Sequence, residues 1–129
     1  GPQPNFILIS KEGSRAYVSN AGNNTISEID TTDWRVIRNI PTGAQPEHMV
    51  FSADGSRLYV NNVKDGKVAE ITLADGKTSN LYTVGKDPHG IDLSDDGTQL
   101  FVSAKSDNKL VAINLENGEQ RDVTLSPLP

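Results

Sequence analysis

The chain has two histidines, and each follows a proline closely. His48 stands two residues after Pro46, and His89 follows Pro88 directly. Neutral imidazole is the commonest protein ligand for transition metals and a frequent general base. We therefore predict His48 and His89 as candidate metal ligands or candidate bases.

Three carboxylates stand near the histidines in the sequence: Glu47, Asp87 and Asp92. Asp92 interrupts a run that is otherwise apolar, and because an unpaired carboxylate is costly to bury, it must face water or a partner. Together with the histidines these groups could bind a cation or a small polar ligand. The alternative is that the carboxylates are solvated and that each histidine only hydrogen-bonds a neighbouring loop.

Composition excludes several classes of function. The 129 residues hold 12 basic and 17 acidic residues, for a net charge of -5, which argues against a nucleic-acid partner. The absence of cysteine excludes thiolate catalysis and disulfides. No apolar run approaches the ~20 residues that span a bilayer. The paired acids Asp95 and Asp96 lie at the tip of a hairpin and are not predicted to be catalytic.

The two prolines belong to an internal repeat of 42 residues that begins at Pro4, Pro46 and Pro88. In the second copy, apolar runs and turn residues predict strands at about 49–52, 57–61, 67–73 and 78–84. Repeats of this length built from short strands are typical of propeller blades. We therefore predict an all-β propeller with four-stranded antiparallel blades at 4–45, 46–87 and 88–129. Residues 1–3 are interpreted as a leader or a tag remnant.

The repeat places both histidines at the start of a first strand, the innermost strand of a blade. In a propeller these positions surround one mouth of the central channel. The two histidines are offset by one residue within the repeat, so in uninterrupted strands their side chains would point to opposite faces. The first strand is apolar at successive positions, as in Met49, Val50 and Phe51, which predicts that both its faces are buried.

The segment from Ser52 to Asn62 reads Ser-Ala-Asp-Gly-Ser-Arg-Leu-Tyr-Val-Asn-Asn, and it resembles the repeat of the YVTN-type β-propeller family. The segments 23–31 and 88–91 resemble the same repeat. The family and its relatives include surface and periplasmic binding proteins, lactonases, and haem- or copper-bearing reductases. The resemblance therefore implies a propeller fold and a periplasmic, cell-surface or secreted location, but no single activity.

Three blades are fewer than the ~4 to 8 with which propellers close. Two copies joined head to tail would make a six-bladed ring, and we expect such a homodimer. The alternative is that the chain is a fragment, natural or engineered, of a longer propeller.

The favoured function is a non-enzymatic scaffold or binding module for a protein or small-ligand partner. One alternative is a metal- or haem-dependent enzyme, or a lactonase-like hydrolase, with its site at the channel mouth. Another is an excised or engineered fragment with no independent function. No cofactor is expected, apart from a possible transition metal at His48 and His89.

Overall fold

A computed structural model of the chain describes residues 1–125 and contains three four-stranded antiparallel sheets. In each sheet the strands are neighbours in chain order, as expected for successive blades. The predicted all-β architecture of three four-stranded blades is therefore confirmed. In this part of the chain no helix is long and apolar enough to cross a membrane.

The first blade consists of β1 (Pro4–Ile9), β2 (Arg15–Asn20), β3 (Thr25–Asp30) and β4 (Arg35–Pro41). The second blade consists of β5 (Pro46–Phe51), β6 (Arg57–Asn62), β7 (Lys67–Thr72) and β8 (Lys77–Thr83). The third blade consists of β9 (Pro88–Leu93), β10 (Gln99–Ala104), β11 (Lys109–Asn114) and β12 (Gln120–Thr124), with a single 3-10 turn at Lys105–Asp107.

In the second and third blades, the hairpin between the first two strands is built around one aspartate, Asp54 or Asp96. In the second blade, the Asp54 carboxylate accepts hydrogen bonds from the backbone N–H of Ser56 and from the hydroxyls of Ser56 and Ser52. These bonds, led by the Ser56 hydroxyl, lower the pKa of Asp54 to about 2. Gly55 follows with φ +75°, a conformation that glycine adopts without steric cost.

Two apolar cores hold the blades together, one at each boundary between blades. Both include fully buried residues of the second blade, because the two faces of its sheet pack on different neighbours. The first core contains Tyr17, Ile26, Ile40, Met49, Leu58, Val60, Ala69 and Ile71. The second contains Tyr59, Val68, Tyr82, Val84, Leu100, Val102, Val111 and Ile113.

The outer faces of the first and third blades have no such cover. Ile7 and Ile9 of β1 are 58% and 49% exposed, whereas Met49, the counterpart of Ile7 in the second blade, is 1% exposed. On the opposite side, Leu110 and Val123 of the third blade are exposed. These two faces are where a closed propeller would continue.

Candidate functional site

Three rings lie side by side at one end of the innermost strands. The rings of Phe6 on β1 and His48 on β5 meet edge to face with centroids 4.7 Å apart. The rings of His48 and His89 on β9 are 5.0 Å apart. Because β1, β5 and β9 are neighbouring innermost strands, this row lies where the channel mouth of a closed propeller is predicted.

In uninterrupted strands the side chains of the two histidines were expected to point to opposite faces, but in the structure their rings are adjacent. The pairing of β5 with β6 is irregular between Pro46 and Met49, and that of β9 with β10 is irregular opposite Val102 and Ala104. An irregularity of this kind breaks the alternation of side chains. The one-residue offset within the repeat therefore does not separate the rings.

The backbone carbonyl of His89 joins the second blade to the third at this point. His48 Nδ1 lies 2.8 Å from this oxygen, and Asn61 Nδ2 donates to the same oxygen at 2.9 Å. Because a carbonyl only accepts, we assign the proton of the His48 ring to Nδ1. In the neutral ring Nε2 then carries the lone pair, and it is available as an acceptor, a base or a metal ligand.

Sequence reasoning missed Asn61, which is fully buried on β6. A signal for it was present in the repeat, where the counterparts of Asn61 are Ser19 and Ser103. Each serine bonds the inner strand of its own blade, through the N–H of residue 6 or of residue 90. The longer asparagine instead reaches the next blade.

The predicted acidic residues make separate contacts. Glu47 accepts a hydrogen bond from the side chain of Gln45 at 2.7 Å, and Asp87 accepts one from Ser106 at 3.3 Å. Asp92 is exposed and accepts the backbone N–H of Leu93. The structure thus brings His48 and His89 together, and none of the three carboxylates has a hydrogen bond to either ring within residues 1–125.

Asp92 lies on the uncovered face of the third blade. Its counterparts in the repeat are Leu8 and Val50, and each of these packs against the core at the boundary with the following blade. Asp92 is paired across the strands with Phe101, just as Leu8 is paired with Tyr17. Asp92 therefore faces the position of a further blade.

The histidine pair fits a metal only in part. A histidine that ligates a metal usually donates its other N–H to a carbonyl or carboxylate, as His48 does. Zinc sites in proteins use three or four protein ligands, however. In the described part of the chain no group of three or more histidine, aspartate and glutamate side chains could hold a metal ion. The two imidazoles alone therefore do not complete such a site.

A second polar arrangement, also missed from the sequence, lies between the first and second blades. Glu28 on β3 is buried and accepts hydrogen bonds from Arg38 Nε at 2.5 Å and from the Tyr17 hydroxyl at 3.1 Å. Burial, followed by the charge of Glu28, raises the pKa of Tyr17 to about 12. Arg38 also donates to the carbonyl of Leu73 in the second blade.

The counterpart of Glu28 between the second and third blades is Glu70, which is also buried. It accepts hydrogen bonds from the hydroxyls of Ser79 and Tyr82 at 2.9 and 3.3 Å. Burial and the nearby carboxylate raise the pKa of Tyr82 to about 12. Both boundaries therefore contain a buried carboxylate within a polar network.

Comparison with known proteins gives the family. The family model described as "Lactonase, 7-bladed beta-propeller" matches residues 3–90. The chain belongs to this family. The match establishes a β-propeller family and does not by itself distinguish the YVTN type. No curated protein matches the chain.

Solved propellers share the fold. Hydrazine synthase from Kuenenia stuttgartiensis has a TM-score of 0.90 and 26% identity, over 97% of this chain and 36% of that chain. Virginiamycin B lyase from Staphylococcus aureus has a TM-score of 0.81 and 22% identity, over 96% and 42%. A periplasmic gluconolactonase from Pseudomonas aeruginosa has a TM-score of 0.78 and 20% identity, over 97% and 40%. The chain spans about two-fifths of the length of these proteins.

Proposed function

We propose that this chain supplies three blades of a propeller that binds a small polyhydroxylated ligand at the channel mouth. The observation that supports this most directly is the row formed by the rings of Phe6, His48 and His89. Small-ligand sites combine apolar ring surfaces with a few polar atoms that fix the orientation of the ligand. A sugar-like ligand presents C–H surfaces to such rings and hydroxyls to the imidazole nitrogens.

The contacts of His48 favour binding over catalysis. In a catalytic triad a carboxylate holds the N–H of the imidazole and stabilises the charged ring. Here a neutral backbone carbonyl occupies that position. The carboxylate of Glu47, the residue that precedes His48, instead interacts with Gln45.

A second candidate function is hydrolysis of a lactone at the same place. The family description and the similarity to a gluconolactonase support it. In this reaction His48 Nε2 would take a proton from water while the water oxygen bonds to the lactone carbonyl carbon. The C–O bond of the ring would then break, and the leaving oxygen would recover the proton, giving a hydroxy acid.

One pair of measurements separates the two candidates. Isothermal calorimetry with D-gluconate tests binding, and a pH-stat assay with D-glucono-1,5-lactone tests turnover above the spontaneous rate. The control is the double variant His48→Phe/His89→Phe, which keeps the rings and removes their nitrogens. The first proposal is supported if the unchanged chain binds D-gluconate without turning over the lactone and the control does not bind. Turnover that the control loses supports the second, and the absence of both contradicts the site.

We also propose that the uncovered faces of the first and third blades are covered when the ring closes with a second copy. The exposure of Ile7 and Ile9 supports this. Two copies would give six blades, whereas the family description names seven. Light scattering on a sizing column decides the point: twice the 13.9 kDa chain mass supports a dimeric ring. A monomer at all concentrations contradicts it.

A further inference from the structure

The boundary between the second and third blades lacks a cation that the preceding boundary contains. Glu28 and Glu70 occupy equivalent places 42 residues apart, and both are buried. Arg15 and Arg57 approach them equally, with nitrogen–oxygen distances of 3.6 Å in both cases. The surroundings of the two carboxylates differ on the outermost strand: Glu70 accepts hydrogen bonds from Ser79 and Tyr82, whose counterparts in the first blade are Ile37 and Ile40. They differ also at the residue paired with each carboxylate.

In the first blade that residue is Arg38, which crosses the groove to the second blade. Its Nε bonds Glu28, and its Nη2 donates to the carbonyl of Leu73. Its Nη1 lies 3.2 Å from where a Cβ on Gly76 would be, so the guanidinium fills the space beside that turn. One planar cation thus satisfies two acceptors that belong to different blades.

In the second blade the corresponding residue is Asn80, whose amide reaches Glu70 only at 3.4 Å. The counterpart of Gly76 is Gly118, and no atom lies within 4 Å of its Cβ position. The counterpart of Leu73 is Leu115, whose carbonyl accepts no hydrogen bond from residues 1–125. The two acceptors are retained, and no atom lies within 4 Å of the Cβ position of Gly118, whereas the guanidinium of Arg38 lies beside Gly76.

A groove of about 450 Å³ lies beside these acceptors. Its lining includes Glu70, Asn80 and Leu115, whereas Glu28 does not line the groove between the first two blades. Three acidic residues line it, Asp54, Glu70 and Glu116, against the single cation Arg57. The groove therefore favours a positively charged occupant.

We propose that this groove binds a guanidinium group, with Glu70 and the Leu115 carbonyl as its acceptors. The group would come from a small molecule or from an arginine side chain of a partner. A planar donor fork matches the arrangement that Arg38 satisfies one blade earlier, and an ammonium presents no such fork. The site is separate from the channel mouth and does not depend on the function proposed there.

The test is a titration of the ¹⁵N-labelled chain with methylguanidinium chloride, against sodium chloride at equal ionic strength. We expect shifts of the backbone amides of Thr98 and Leu115 that saturate with a Kd on the order of 1 mM, as suits a ligand of five heavy atoms. Asn80→Arg, which reproduces the first blade, should fold normally and weaken this binding at least tenfold. Glu70→Gln should also weaken it about tenfold.

A parallel titration with N-acetyl-arginine methylamide distinguishes the two sources of the group. Saturation by both probes shows a site for the guanidinium itself, and saturation only by the arginine derivative shows a site for a partner's side chain. Either result supports the proposal if Asn80→Arg weakens the binding of that probe at least tenfold. If neither probe binds, or if Asn80→Arg binds methylguanidinium as tightly as the unchanged chain, the proposal is wrong.

Discussion

Replacement of Arg38 by asparagine gives the first boundary between blades the residue that stands at the equivalent position of the second, Asn80. The change removes the bond from Nε to Glu28 and the bond to the Leu73 carbonyl, and it leaves a buried carboxylate with one weaker cation, Arg15. A hydrogen bond to a charged group contributes ~1.5–3 kcal/mol net. Because the Arg38 side chain is 31% exposed, solvent screening reduces this contribution. We expect a loss of about 1.5 kcal/mol in the free energy of unfolding.

The assay is equilibrium unfolding in urea, followed by circular dichroism. With a slope of ~1–3 kcal/mol per molar urea, the loss should lower the midpoint by roughly 0.5–1.5 M. The matched control is Arg15→Asn. The Arg15 side chain is 39% exposed, and its guanidinium lies 3.5–3.6 Å from two carboxylate partners. Exposed pairs of this kind contribute ~0.2–1 kcal/mol, so the control should lose less than the Arg38 variant.

A double-mutant cycle with Glu28→Gln measures the coupling free energy between Arg38 and Glu28. If Arg38 acts through the Glu28 carboxylate, Arg38→Asn should cost clearly less in the Glu28→Gln background than in the unchanged chain. Equal costs in the two backgrounds would refute the electrostatic account. A midpoint shift for Arg38→Asn no larger than that for Arg15→Asn would refute the estimated magnitude.

The remaining predictions concern protons and close packing. Tyr17 and Tyr82 have folded pKa values of about 12 against an ordinary 10.0, so their contribution to stability is complete below pH 10 and falls as pH rises to 12. Urea midpoints at pH 9 and 11 should show this fall, and replacing both tyrosines by phenylalanine should reduce it. Nitrogen NMR of the His48 ring should show the Nδ1–H tautomer, and Asn61→Ser, which removes a second donor to the same carbonyl, should keep this tautomer dominant; a dominant Nε2–H form in the unchanged chain contradicts the assigned bond. Gly43→Ala should lower stability by ~1–3 kcal/mol in urea unfolding, because its methyl would lie 2.7 Å from a buried asparagine amide; an unchanged midpoint contradicts this.

The sequence predicted the fold well because the repeat encodes it. The spacing of the prolines and the Asp54-Gly55 turn indicated four short strands per blade, and the structure contains them. The fourth strand of the second blade was predicted at about 78–84 and lies at Lys77–Thr83. The first strand begins at Pro46 rather than near Met49, because pairing resumes before the irregular segment that contains His48.

The candidate site was predicted less completely, because it depends on contacts between blades. Alternation along an ideal strand predicted opposite faces for His48 and His89, whereas their rings lie 5.0 Å apart across the boundary between two blades, where the pairing of both strands is irregular. The role of Asn61 depends on a carbonyl 28 residues away in the next blade. The contact from Arg38 to Leu73 spans 35 residues. Strand periodicity contains no information on such pairs.

A ligand bound at the row of rings would change the signals of both histidine side chains. This can be measured by ¹H–¹⁵N NMR of the histidine side chains during a titration with D-gluconate, with the His48→Phe/His89→Phe variant as the control for backbone amides. We expect the ring signals of both His48 and His89 to shift together with one Kd, and the accompanying shifts of neighbouring backbone amides to disappear in the control. Unchanged ring signals at saturating gluconate, or amide shifts that persist in the control, would contradict this expectation.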